Sequence, residues 1–187
     1  MLTSGRKKTE EFGKVSLDYA MRLAMEREGI SVDMEVSAKA MDWGNEWEPY
    51  AIAKYEQTYF LKVWGSQIPI NHKKYKYVAG TPDGLVGSSG GVDVKCPYKT
   101  ILHMKNYLYG HQKQEYYSQL QGYLWITNRD WWDLVSYDPR LPEDLQIVRY
   151  RVYYDPDYIY NMETRYLKFE QIIENYQKQI RGIRNGK

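Results

Sequence analysis

The stretch Thr81-Pro82-Asp83-Gly84-Leu85-Val86, followed after a turn by Val92-Asp93-Val94-Lys95, decides the fold. The residues between them, 87–91, are three glycines and two serines, a composition typical of turns. Valine and leucine are frequent on both sides of this turn. The sequence therefore predicts a β-hairpin whose second strand alternates apolar and charged side chains.

The predicted hairpin brings charged side chains together. Side chains two positions apart on a strand point to the same face, so Asp93 and Lys95 project together while Val94 faces the core. Asp83, at the start of the first strand, reaches the same point from across the hairpin. Two carboxylates this close repel each other unless a cation or a proton neutralises them.

These groups suit metal-assisted hydrolysis of a phosphodiester. Carboxylate oxygens are ligands that Mg²⁺ prefers, and a divalent ion can join an attacking water to a phosphate. We expect Asp83, Asp93 and the Val94 carbonyl to bind the metal, and Lys95 to orient or help deprotonate the water and stabilise charge. The alternative is a surface hairpin in which Asp93 and Lys95 form a solvated pair, because such short motifs also occur in unrelated proteins.

Outside the hairpin, the period of the apolar residues predicts the remaining elements. Helices are expected at Ser16–Glu28, Ser37–Thr58 and Gln112–Thr127, and a last helix has Asp155 as its N-cap and Pro156 in its first turn. Further strands are expected at Val63–Ile70, Tyr75–Ala79, Trp131–Tyr137 and Gln146–Tyr153. We expect a central sheet flanked by helices, in one domain spanning residues 1–187.

Composition excludes several classes of protein and site. A single cysteine, Cys96, excludes an internal disulfide and a four-cysteine zinc or iron–sulfur centre, and it fits a reducing cytoplasm. We expect Cys96 to be a small buried hydrophobic residue beside the site rather than a nucleophile. The histidines His72, His103 and His111 have no metal-ligand spacing and are expected to be structural or surface residues. No apolar run is long enough to cross a membrane.

Net charge is only +2, so any attraction to nucleic acid must be local. Two basic runs are candidates for contacts with DNA phosphates: Arg6, Lys7 and Lys8, and Lys73, Lys74 and Lys76. The alternative is that both runs are solvated surface. The 20 tyrosines and 6 tryptophans fit base stacking, core packing and interfaces equally well.

Five motifs in order support a family resemblance. They are Trp43-Gly44-Asn45-Glu46-Trp47-Glu48, Thr81-Pro82-Asp83-Gly84-Leu85, Asp93-Val94-Lys95-Cys96-Pro97, Gln119-Leu120-Gln121-Gly122-Tyr123 and Tyr137-Asp138-Pro139-Arg140. Together they resemble the phage lambda exonuclease and YqaJ-type viral recombinase nucleases of the PD-(D/E)xK superfamily. The resemblance covers nearly the whole chain and implies an α/β fold, with a restriction-endonuclease-like core of a central mixed β-sheet flanked by α-helices.

The resemblance implies roles for single residues. Asp83 and Asp93 match the metal-binding carboxylates, Lys95 matches the catalytic lysine, and Glu48 matches a helix-borne ligand. Mg²⁺ is the implied cofactor, with Mn²⁺ as a substitute. Gln119 matches a glutamine that reaches the water or the phosphate. Tyr116 and Tyr123 lie on the same predicted helix, as DNA-stacking residues or as plain core. Glu46 and Glu48 cannot both face the site, because two helical positions correspond to a rotation of about 200°, and the family motif selects Glu48.

The implied activity is 5′→3′ digestion of linear duplex DNA in phage-type recombination, in the cytoplasm of a bacterial or phage-infected cell. The implied partners are DNA, a single-strand annealing protein and further copies of the chain in a trimer. The family usually has an amino-terminal arm that holds the terminal 5′-phosphate, and we expect this arm to be missing or shortened, with Thr3 and Ser4 as its remnant. Two alternatives stay open, an endonuclease on the same core and a catalytically silent DNA-binding or assembly module.

Overall fold

The structure is a computed structural model that describes residues 11–31, 39–110 and 114–186. Its helices are α1 (Lys14–Arg27), α2 (Lys39–Tyr59), α3 (Thr100–Tyr109), α4 (Gln114–Thr127) and α5 (Pro156–Asn185). Its strands are β1 (Val63–Trp64), β2 (Ile70–Asn71), β3 (Ala79–Gly80), β4 (Gly84–Val86), β5 (Gly90–Lys95), β6 (Trp131–Tyr137) and β7 (Ile147–Tyr153). None of these helices is long and apolar enough to span a membrane.

Five strands form one sheet in the order β1-β4-β5-β6-β7, and β2 and β3 form a separate pair. β5 and β6 run parallel, whereas the other neighbours in the large sheet are antiparallel. Its two faces are covered by different helices, because side chains alternate along each strand. Val135 of β6 packs with Ala51 and Tyr55 of α2, and Trp132, on the opposite face, stacks on Tyr123 of α4 with ring centroids 5.1 Å apart. The predicted α/β class with a mixed central sheet flanked by helices is confirmed.

The predicted hairpin is formed by β4 and β5, with Gly84 opposite Val92 and Val86 opposite Gly90. Its turn is shorter than expected, because Gly90 and Gly91 belong to β5. A Cβ added at Gly90 would lie 2.1 Å from the Trp131 ring, so a close approach between β5 and β6 explains this glycine.

The long elements agree with the sequence-based expectation to within two residues, for α1, α2, α4, β6 and β7. Asp155 caps α5 as predicted, because its Oδ1 accepts a hydrogen bond of 3.0 Å from the N–H of Tyr158. Two expectations are wrong. The predicted strands at Val63–Ile70 and Tyr75–Ala79 are reduced to the two-residue strands β1, β2 and β3, since the backbone turns with positive φ at Gly65 and Gln67.

Helix α3 was not expected from the sequence. Its N-cap residue, Lys99, makes no side-chain cap, and its first turn carries no acidic residue. Its apolar residues also face outwards, with Ile101 60% and Leu108 63% exposed. The usual start signal and the usual apolar-inside pattern are therefore both missing.

The chain divides into two compact units, Ser37–Ile159 and a unit formed by Met1–Val36 with Tyr160–Lys187. The first unit contains both sheets. In the second unit, a small core is formed by Phe12, Ala20, Ala24, Phe169 and Ile173. The expectation of one domain over residues 1–187 stays a prediction.

Candidate active site

Asp93 lies in the middle of the sheet on β5, and only 1% of it is exposed. Nζ of Lys95 lies 2.6 Å from its Oδ2, so the two side chains project from one face of the strand, as predicted. Lys95 is the charged partner of Oδ2, whereas no described residue donates a hydrogen bond to the buried Oδ1 of Asp93. A buried carboxylate oxygen without a donor is costly, so Oδ1 calls for a further cation or donor.

Asp83 directly precedes β4 and faces Asp93 across the hairpin. Its Oδ2 accepts a hydrogen bond of 2.7 Å from the backbone N–H of Val94. Burial raises the pKa of Asp83 to about 7, and the charge of Asp93 adds to this rise. The two carboxylates therefore lie close together, as predicted, and their mutual repulsion raises the pKa of Asp83, as expected.

The lysine of the cluster is a cation. Burial is the largest single influence and acts to lower the pKa of Lys95, but the charge of Asp93, its hydrogen bond with Lys95 and the charge of Asp83 together outweigh burial, and the pKa is raised. Burial also raises the pKa of Asp93, and the charge of Lys95 opposes that rise. Lys95 therefore stays protonated near neutral pH when no metal ion is bound.

Glu48 approaches the two aspartates from α2. Its charge contributes to the raised pKa of both Asp83 and Asp93. Its Oε1 accepts a hydrogen bond of 2.6 Å from Nε2 of Gln67. Glu46 is exposed, whereas Glu48 is half-buried, in agreement with the helical argument that separated them.

The chemistry of these groups fits a hard divalent ion. Asp93 offers a buried Oδ1 without a donor among the described residues, and Asp83 offers a second carboxylate beside it. In the described part of the chain, no three His, Cys, Asp or Glu side chains lie close enough together to hold a metal ion. The two aspartates would therefore need the Val94 carbonyl, or Glu48 acting through a bridging water, to complete a coordination shell.

Helix α4 supports the loop that carries Asp83. Nε2 of Gln119 donates to the hydroxyl of Tyr123 at 3.2 Å, and that hydroxyl donates to the carbonyl of Thr81 at 3.1 Å. Tyr123 is only 9% exposed and its ring stacks on Trp132. These contacts let Gln119 and Tyr123 brace the Thr81 segment beside the acidic cluster, and the surface that Tyr123 offers to a base is small.

Tyr116 lies one helical turn before Gln119 on the same helix. Nζ of Lys95 lies 5.5 Å from the centroid of its ring, within the range of a cation–π contact. The ring is half-buried, so it retains a surface towards solvent. The structure therefore places Tyr116 beside the ammonium group of the site.

The basic run between β2 and β3 forms an exposed loop, and Lys73, Lys74 and Lys76 are all exposed. Nδ1 of His72 shapes this loop by accepting the backbone N–H of Lys74 at 3.0 Å. The ammonium of Lys76 lies 5.1 Å from the Tyr77 ring centroid. The other run, Arg6, Lys7 and Lys8, lies outside the described residues, as do Thr3, Ser4 and His111.

The Tyr137–Arg140 motif fastens the segment that follows β5. Nε and Nη2 of Arg140 each donate to the buried carboxylate of Asp138 at 2.8 Å. Arg140 also donates to the carbonyls of Pro97 and Tyr98, and its guanidinium lies 4.5 Å from the centroid of the Trp43 ring in α2. This residue thereby joins the ends of the segments that carry Lys95 and Glu48.

The structural role expected for His103 is confirmed, and Cys96 is less buried than expected. His103 is fully buried, with Nδ1 2.9 Å from Ser136 Oγ and Nε2 2.8 Å from the carbonyl oxygen of Leu145. Cys96 is half-buried rather than fully buried, and it packs against the core. Burial raises the pKa of its thiol to about 12, so the thiol stays protonated near neutral pH, and the expectation that it is not a nucleophile stays a prediction.

Sequence analysis missed Gln67. It is bonded to Glu48, and its backbone N–H donates to the carbonyl of Pro82 at 3.2 Å. Its φ of 59° is rare for a residue other than glycine. No local sequence pattern predicts this role, because the hydrogen-bond partner, Glu48, lies 19 positions earlier in the chain.

The chain is similar to known proteins in both sequence and structure. Residues 8–130 match the profile of the YqaJ-like viral recombinase domain family. An alkaline exonuclease from Laribacter hongkongensis is 33% identical, with a TM-score of 0.79 over 88% of this chain and 82% of that chain. The same enzyme in complex with dAMP has a TM-score of 0.75 and covers 89% and 85% of the two chains, again at 33% identity.

A phage-related exonuclease from Haemophilus somnus 129PT shares the fold, with a TM-score of 0.75 at 16% identity over 97% of this chain and 91% of that chain. No curated protein sequence matches at a significant level. The resemblance inferred from the sequence motifs is nevertheless confirmed by a family profile that covers more than half of the chain. The chain belongs to the YqaJ-like viral recombinase domain family.

Proposed function

We propose that this protein is a metal-dependent exonuclease that hydrolyses the phosphodiester bonds of linear duplex DNA. Mg²⁺ is the proposed cofactor, with Mn²⁺ as a substitute. The proposed direction is 5′→3′, taken from the family resemblance. The single observation that carries the proposal is Asp93, a buried carboxylate that lies beside Asp83, is paired with the Lys95 ammonium through Oδ2, and has no donor to Oδ1 among the described residues.

The proposed ligands are Asp83, Asp93, Glu48 and the carbonyl of Val94. A divalent ion bound by such oxygens supplies a water of lowered pKa and neutralises charge on a phosphate. Lys95, held as a cation by Asp93, stabilises the negative charge that develops on the phosphate oxygens. Gln119 and Tyr123 brace the Thr81 carbonyl and so fix the loop that ends in Asp83.

Relatives support nuclease activity and a DNA substrate. The protein from Laribacter hongkongensis is an alkaline exonuclease and was solved with a deoxyribonucleotide, dAMP. At 33% identity over most of both chains, we transfer this activity class to the present chain. For DNA contacts we propose Lys73, Lys74 and Lys76 with Tyr116, and Arg6, Lys7 and Lys8 from the sequence alone.

The test is digestion of linear duplex DNA, labelled at the 5′ or the 3′ end, beside covalently closed circular DNA, each with Mg²⁺ and with EDTA. Magnesium-dependent loss of the linear DNA alone, with the 5′ label released first, is the expected result. Cutting of the circle would replace the proposal with an endonuclease. Failure to cut either substrate would favour a silent DNA-binding module.

Variants connect the activity to the site. Asp93→Asn and Lys95→Ala should each reduce the rate by about 100-fold or more, since one charge-stabilising donor is typically worth that much. Glu48→Gln should also lose activity, whereas Glu46→Gln, on the same helix but exposed, should not. Equal rates for the two glutamate variants would remove Glu48 from the proposed site.

The resemblance also implies protein partners, which remain proposals. Further copies of the chain would form a trimer, and light scattering after size exclusion measures the mass directly. An annealing protein would bind the strand that digestion exposes, and a pull-down in the presence of partly digested DNA tests this contact.

A further inference from the structure

Gln67 joins two segments of the proposed metal site through different parts of one residue. Its side-chain amide donates to Glu48 Oε1 at 2.6 Å. Its backbone N–H donates to the carbonyl of Pro82, the residue directly before Asp83, at 3.2 Å. A single residue between β1 and β2 therefore links the glutamate on α2 to the loop of the first aspartate.

The backbone at Gln67 is in the left-handed region, with φ at 59°. Residues other than glycine and asparagine rarely adopt this conformation, because Cβ approaches the following carbonyl oxygen. Such conformations persist where surrounding contacts hold them, and they cluster at functional sites. In this orientation the side chain meets Glu48 while the N–H meets Pro82.

We infer that Gln67 is a positioning residue that keeps the Glu48 carboxylate beside Asp83 and Asp93, where Glu48 adds negative charge to the site and can bind a divalent ion through a water. The inference rests on the proposed function and adds a residue to it. Glu48 faces two other acidic side chains, and their mutual repulsion favours rotation of its flexible side chain into solvent. The amide of Gln67 opposes that rotation by donating to Oε1.

Partners that orient metal ligands are worth about 10-fold to 100-fold in metal affinity or activity. We therefore expect Gln67→Gly to weaken Mn²⁺ binding by about that factor in isothermal titration calorimetry. The same variant should lower kcat and leave KM for DNA unchanged. Its Tm should not fall, because glycine accepts a positive φ without strain.

The matched control is Phe60→Gly. Phe60 also has a positive φ, 54°, and its side chain is 93% exposed. The substitution relieves the same kind of backbone strain away from Glu48. It should therefore leave Mn²⁺ affinity and kcat at the wild-type values. A drop equal to that of Gln67→Gly would overturn the inference, because it would trace the loss to the backbone change alone.

A double-mutant cycle tests whether Gln67 acts through Glu48. In a Glu48→Gln background, Gln67→Gly should cause no further loss of Mn²⁺ affinity. An equal loss in both backgrounds would overturn the inference, because Gln67 would then act on the metal or the DNA independently.

Wild-type protein in the same titration and cleavage assay distinguishes failure of the Gln67 inference from failure of the proposed function. If wild type binds Mn²⁺ and cuts DNA while Gln67→Gly matches it in both, the inference fails and the proposed function stands. If wild type neither binds Mn²⁺ nor cuts DNA, both fail together.

Discussion

At the scale of one residue, burial changes the acid–base behaviour of Asp83. Its carboxyl has an ordinary pKa of 3.8, and burial beside Asp93 raises this to about 7. Near neutral pH a proton and a metal ion therefore compete for the same oxygens. A divalent ion removes the repulsion between the two carboxylates, so metal binding should grow stronger as pH rises through that region.

The raised pKa of Asp83 predicts a pH-dependent cost in stability. The pKa of Asp83 is higher in the folded protein than in the unfolded chain, so its protonated form stabilises the fold. This stabilisation is fully present below the unfolded pKa of 3.8 and is lost as pH rises through about 7. Asp83→Asn removes this titration and keeps an acceptor for the Val94 N–H. In EDTA at about pH 8.5, the variant should melt several degrees above wild type, a difference on the order of a few kcal/mol that narrows at about pH 5.

Thermal melts of both proteins across this pH range make the measurement. Asp18→Asn, at an exposed position on α1, is the matched control and should follow wild type at every pH. A constant difference between Asp83→Asn and wild type would mean that the carboxyl does not titrate as its burial indicates.

At the scale of elements, length and periodicity decide what the sequence predicts. β6 was predicted to the residue because it is rich in aromatic and branched apolar residues and contains neither glycine nor proline. The stretch from Val63 to Gly80 was predicted poorly, since its strands have two residues each and depend on tertiary contacts. The hairpin of β4 and β5 was predicted because turn chemistry and alternation are local signals.

The pairing of β1 with β4 requires glycine at position 84, because a side chain there would keep the two strands apart. A Cβ at this position would lie 2.1 Å from Cγ1 of Val63. Gly84→Ala should therefore cost about 1–3 kcal/mol of unfolding free energy, as overpacking does, and should displace the hairpin that carries the site.

Gly122→Ala is the matched control, because an added Cβ there meets no atom within 4 Å. Gly122 lies inside α4, where alanine is favoured over glycine by about 1 kcal/mol, so this variant should be as stable as wild type or more stable. Urea unfolding of the two variants measures the contrast. Equal midpoints would show that β1 moves aside without cost.

At the scale of the whole molecule, the site contains both predictable and unpredictable parts. Asp93 and Lys95 follow from the geometry of one strand, and Asp83 follows from one hairpin. That Glu48 belongs to the site was predicted only from the family motif, and a role for Gln67 was not predicted at all. Their contact joins α2 to a short irregular segment, and such long-range pairings leave no periodic trace in a single sequence.

Charge is also a whole-molecule property, and it leads to the last prediction. The net charge of +2 is too small to draw DNA to the protein in general, so binding must depend on local clusters. Lys73 and Lys76 lie on the exposed loop between β2 and β3, in a segment without acidic residues from 70 to 80. Replacing both with alanine should weaken DNA binding and reduce the slope of log K against log salt by about 2, since each neutralised phosphate contributes about 0.9.

The control is Lys14→Ala with Lys178→Ala, which removes the same charge from exposed positions on α1 and α5. Fluorescence anisotropy of a labelled duplex in Ca²⁺, at a series of salt concentrations, gives both slopes. If the two double variants change the slope equally, DNA responds to net charge alone. If only the Lys73 and Lys76 pair changes it, phosphates contact this loop, which joins the Asp83 segment through β3, and the path of the DNA can be traced from the loop to the site.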